Sequence, residues 1–138
     1  MDSMTPTAFF REVREASRGK IAAHRVGGAV CLHTGQVYID GDEVNVYIGQ
    51  ASGGCVSMTD LGETMQRVSI FLDPQDSFGV LAEQVASQFG CLLSDGEIHC
   101  RCSREDAPVR ALGLAQCASA LEAALTAAAI VCIENRND

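Results

Sequence analysis

From Ala111 to Ile133 the chain reads ALGLAQCASALEAALTAAAIVCI, with Glu122 as its one charged residue. A segment of that length and polarity has two destinations, a lipid bilayer or the interior of a folded domain. Ala is its commonest residue, and Gln116, Ser119 and Thr126 interrupt it. Glu122 also stands mid-segment, where a charge costs at least about 2.5 kcal/mol in a bilayer. The sequence therefore predicts a buried helix and no membrane association, opened by Asp106 with Pro108 in its first turn and running to Cys132. The residues before it must supply a surface that covers it.

Two apolar rows run along this closing helix. Leu114, Ala118, Leu121, Leu125, Ala128 and Cys132 recur at alternating spacings of four and three, the seam of a helix–helix contact. Gly113, Cys117, Ala120, Ala124, Ala127 and Val131 form a second row of small residues that permits close approach. Either the helix is sandwiched between a sheet and other helices, or one row leaves the domain and meets a protein partner. A homodimer is then the simplest assembly, because a two-fold contact lets one patch serve both chains.

The upstream sequence alternates with a period of two where a sheet is needed. Ala29 to His33 and Gln36 to Ile39 read as extended pieces, and Asp40-Gly41-Asp42 reads as a two-residue hairpin turn. In the next strand Val44, Val46 and Ile48 alternate with Glu43, Asn45 and Tyr47. Ser52-Gly53-Gly54 turns the chain into Cys55 to Met58, and Cys91–Leu93 and Glu97–Cys102 form a second hairpin around Ser94-Asp95-Gly96. Helices are expected at Thr5–Ser17, Leu61–Phe71 and Pro74–Phe89, while Lys20 to Gly28 carries no period. No linker or repeat divides the 138 residues, so the expectation is one α+β domain over 1–138. Its antiparallel sheet is a meander extended by a C-terminal hairpin, packed by helices with a long closing helix.

In this order, several short pieces carry a resemblance: Asp40-Gly41-Asp42, Val46-Tyr47-Ile48, Thr59-Asp60-Leu61-Gly62-Glu63-Thr64, Phe89-Gly90 and Asp95-Gly96-Glu97-Ile98. The series resembles the bacterial and phage family called domain of unknown function 1828. The resemblance implies an α+β fold and a bacterial or mobile-element origin, and it brings no activity or catalytic residue with it.

Two groups of residues could carry chemistry. Asp60 and Glu63 read as a helix cap and its capping-box partner. Alternatively, Asp60 with Asp40 and Asp42 could hold Mg²⁺ or Ca²⁺ in a metal-dependent hydrolase or nuclease-like enzyme. The nuclease pattern Glu-x-Lys is missing after Asp42-Glu43, and Lys20 is the only lysine. The second group is Cys31 with His33 and Cys100 with Cys102, each pair on one strand face. Brought together they would offer zinc four ligands, but their spacing is that of no common zinc motif, and buried core thiols are the alternative. No cofactor is expected.

Net charge −8 disfavours broad nucleic-acid binding. Seven cysteines, an odd number, and a start without a basic-then-apolar layout point to free thiols in the cytoplasm. The expected function is therefore a small acidic protein-binding module, encoded by a phage or mobile element, that binds and inhibits a host complex such as a defence system.

Overall fold

Glycine-containing turns fold the first part of the chain into a meander. The computed structural model describes residues 8, 9, 11, 22–70, 72 and 78–136. Strand β1 (Ala22–Val26) turns at Gly27-Gly28 into β2 (Ala29–Val37), which pairs with β3 (Glu43–Gln50). A single 3-10 turn at Ser52–Gly54 leads into β4 (Cys55–Thr59). Strands β5 (Leu92–Ser94) and β6 (Glu97–Ser103) form the second hairpin, and β6 pairs with β4. The result is one antiparallel sheet in the order β1-β2-β3-β4-β6-β5, a meander extended by a hairpin, as the α+β reading predicts.

Three details differ from the sequence reading. Lys20–Gly28 contains β1, which its missing period concealed. The two extended pieces after Ala29 are one strand, whose register shifts between His33 and Val37. The first hairpin loop has three residues rather than two, because the Tyr38 N–H donates to the Asp42 carbonyl at 2.8 Å and the Gly41 N–H to the Tyr38 carbonyl at 2.9 Å. Gly41 sits at φ +90°, the left-handed residue that follows a type I turn in such loops. At the second hairpin Asp95 and Gly96 both take positive φ, 51° and 75°, the two-residue form that matches strand twist.

Helix α1 (Glu63–Val68) is shorter than expected, since Leu61 and Gly62 are left-handed at φ 58° and 79° and cannot belong to it. Helix α2 (Gly79–Gln88) buries Ala82, Val85 and Ala86; the start expected at Pro74 lies outside the described residues. Of the first expected helix only Ala8, Phe9 and Arg11 are described; they are helical, and Phe9 is buried in the core.

Helix α3 (Ala107–Arg136) lies on the inner face of the sheet and also touches α1 and α2. By length and composition it qualifies to cross a membrane. Here Ala111, Leu114, Ala118, Leu121 and Leu125 are buried in one core with Val30 and Leu32 of β2, Val44, Val46 and Ile48 of β3, Val56 and Met58 of β4, and Ile98 of β6. Full burial of each Leu contributes about 1.5–3 kcal/mol. This placement corrects the candidate interface. Leu114, Ala118, Leu121 and Leu125 are spent on the sheet, and only Ala128 and Cys132 of that row are partly exposed. The second row is covered at Cys117, half-buried at Ala120 and Ala124, and exposed at Ala127 and Val131.

Candidate functional site

The acidic residues singled out from sequence fall into two separate arrangements. Asp60 follows the end of β4 and is 1% exposed. Its Oδ1 accepts the N–H groups of Gly62 at 2.9 Å and Ile98 at 3.0 Å, and its Oδ2 accepts that of Thr64 at 3.1 Å. It thus caps the first turn of α1 while clamping that turn to β6. Glu63 does not reach back as a capping-box partner; its carboxylate points along the helix towards Arg67, at 3.9 Å.

Asp40 and Asp42 meet Arg67 instead. The guanidinium donates to Asp40 Oδ2 at 2.9 Å and to Asp42 Oδ2 at 2.8 Å, and lies 4.0 Å over the Tyr38 ring. The Asp42 N–H, at 2.9 Å, and then Arg67 hold the Asp40 carboxyl below the usual carboxylate range. Tyr38 completes the bridge to α1, with its hydroxyl 2.9 Å from that of Thr64 and pushed by burial well above its ordinary pKa. Asp40, Asp42 and Asp60 therefore do not form the metal site considered from sequence. Two of them neutralise one arginine, and the third is occupied by backbone N–H groups.

Beside this hairpin lies a cavity of about 310 Å³, lined by Ile39, Asp40, Arg67, Ile70, Glu122 and Thr126. Its carboxylates are engaged within the fold, whereas Arg67 Nε and Thr126 Oγ1 are buried without a hydrogen-bond partner among the described residues. Glu122 of α3 accepts the Ile39 N–H at 2.7 Å, and the Ser119 hydroxyl donates to the Val37 carbonyl at 2.7 Å. Two helix side chains thus hold backbone groups of the β2–β3 hairpin. The rim is apolar: Ile39 is 66% and Ile70 82% exposed. Glu122, Thr126, Ile130 and Ile133 are three or four residues apart and share one stripe of α3, so the exposed Ile130 and Ile133 continue this rim along the helix.

The thiols divide between the two sheet faces. Cys100 is buried on the inner face, with Cys102 partly buried beside it. Cys31 and His33 project from the opposite face of β2, and β3 and β4 separate β2 from β6, roughly 14 Å at normal strand spacing. The four-ligand set considered from sequence is not assembled. All seven cysteines are free. Burial pushes the Cys102 thiol up to about 11 and raises that of Cys31, the reverse of an activated nucleophile.

Sequence reasoning missed His24. The Gly27-Gly28 turn sets it opposite Cys31, and His33 follows two residues along the same face. Ring nitrogens of His24 and His33 and the Cys31 sulfur lie within 4.8 Å of one another, the only such His/Cys/Asp/Glu group among the described residues.

A protein-family model described as Domain of unknown function DUF1828 matches residues 34–121. The match takes in the Asp40 hairpin, Asp60, all of α1 and α2, and α3 as far as Leu121. No curated protein and no solved structure matches the chain.

Proposed function

Since the chain belongs to the DUF1828 family, whose description assigns no activity, we propose from its surface that it is a non-enzymatic protein-binding module. One observation carries this reading. Ile39 and Ile70, continued along α3 by Ile130 and Ile133, form an apolar rim beside a cavity whose carboxylates already have partners within the fold. Contiguous exposed apolar surface of this kind marks an interaction site, whereas a hydrolase needs a carboxylate free to bind a cation or activate water. The first partner is a second copy of the chain, joined by a two-fold contact across the rim.

The rest of the reading draws on composition. Free thiols fit a reducing cytoplasm. Net charge −8 suits a basic partner surface, such as the nucleic-acid channel of a host defence complex countered by a phage or mobile element.

Light scattering at micromolar concentration is expected to give a dimer. Ile70→Glu and Ile130→Glu are expected to yield folded monomers, weakening association by ~30-fold or more, the effect of losing a central contact residue. A monomeric wild type, or a dimer indifferent to both changes, would count against this surface.

A further inference from the structure

The outer face of the sheet carries an arrangement unrelated to the apolar rim. Three residues converge there from two strands. His24 stands on the edge strand β1 directly across from Cys31, and His33 projects beside Cys31 from β2. Each end of the cluster has an orienting partner. His33 Nδ1 is 3.0 Å from Glu43 Oε1. A carboxylate can only accept, so Nδ1 carries a proton, and in the neutral ring the Nε2 lone pair faces the other way. That lone pair points at His24 Nδ1, 2.6 Å distant, closer than an ordinary nitrogen hydrogen bond. The Cys31 side chain hydrogen-bonds Tyr47, its neighbour across the β2–β3 ladder.

This is the pattern of a metal shell with its outer support. A ligating histidine characteristically gives its second ring N–H to a carboxylate, which fixes tautomer and ring orientation. We infer that His24, Cys31 and His33 form a zinc site with three protein ligands and a fourth position open towards the edge of the sheet. Two imidazoles and one thiolate suit a borderline-soft cation and not Mg²⁺ or Ca²⁺, which take oxygen ligands. In a tetrahedral shell with Zn–N of about 2.0–2.1 Å the two nitrogens stand ~3.4 Å apart, so they must part by under ~1 Å. His24 can make that move, because its side chain is exposed on an edge strand. His24, Cys31 and His33 all precede the segment that matches the family, so the three ligands belong to this chain's first hairpin and not to the matched region.

The test uses the full chain stripped of metal with a chelator. Titration with Co²⁺ is expected to saturate at one equivalent with a thiolate-to-cobalt charge-transfer absorption, and Zn²⁺ is expected to displace it and raise Tm. His24→Ala, at an exposed position that the fold does not need, is expected to remove the stoichiometric absorption. Glu43→Gln should weaken binding ~10–100-fold, as loss of an outer-shell partner does. Cys31→Ser should abolish the charge-transfer band; since Cys31 is buried, circular dichroism checks that variant's fold, and His24→Ala decides if it fails. Cys100→Ser should leave the spectrum unchanged. Absence of a saturable cobalt spectrum, its persistence in His24→Ala, or its loss in a folded Cys100→Ser would overturn the site and leave a hydrogen-bonded histidine pair.

Discussion

Asp60→Ala is expected to destabilise the protein by about 4 kcal/mol, a large part of the ~5–15 kcal/mol available to a domain. Read as a local helix cap, the residue would be worth only about 1 kcal/mol. The difference comes from Ile98. Asp60 serves two N–H groups of its own turn and one from β6, and each buried donor left without a partner costs about 1–3 kcal/mol. The cap reading also implies that Asn would substitute freely. It should not, because the two carboxylate oxygens accept from different directions. An Asn oxygen placed at Oδ1 keeps Gly62 and Ile98 but turns an NH₂ group onto the Thr64 N–H. Asp60→Asn is expected to lose about 1–2 kcal/mol. Urea titrations of both variants measure this, and a loss near 1 kcal/mol for Ala would reduce Asp60 to a cap.

A charge inside the α3–sheet contact should have an effect at least as large. Leu125 is fully buried in the core. Leu125→Glu must bury a carboxylate without a partner or expel the helix, and no cooperative unfolding transition is expected to remain. Val131→Glu, at an exposed position six residues on, is expected to stay within about 0.5 kcal/mol of the parent. Circular dichroism melts separate the two, and a folded Leu125→Glu would mean that the row faces outward after all.

The fold was legible wherever one local rule dominated. The alternation of Val44, Val46 and Ile48 and the Asp95-Gly96 turn both survive in the structure. The apolar length of α3 specified burial, but its two rows could not say which one the sheet would take, because each satisfied helical periodicity. The site was less legible for a similar reason. Asp40, Asp42 and Asp60 were visible as acids, but their partners Arg67 and Ile98 lie 25 or more residues away, and only the folded sheet with α1 docked on it brings them close. His24 was hidden because β1 has no hydrophobic alternation: it is an edge strand with exposed His24, Arg25 and Val26. The Gly27-Gly28 turn was the one usable signal. Treated as a hairpin, it places His24 opposite Cys31.

The order of elements along the chain has a consequence for biosynthesis. Helix α3 follows all six strands, so at about 5–20 residues per second the whole sheet leaves the ribosome before its cover does. During that interval Val30, Leu32, Val46, Ile48, Met58 and Ile98 present a bare apolar face. The bonds that fasten the helix, Ser119 to Val37 and Glu122 to Ile39, close loops of 82 and 83 residues. Such distant closures form late and slowly. The nascent sheet is therefore expected to need protection until the helix arrives, and folding is completed only after Glu122 has been translated.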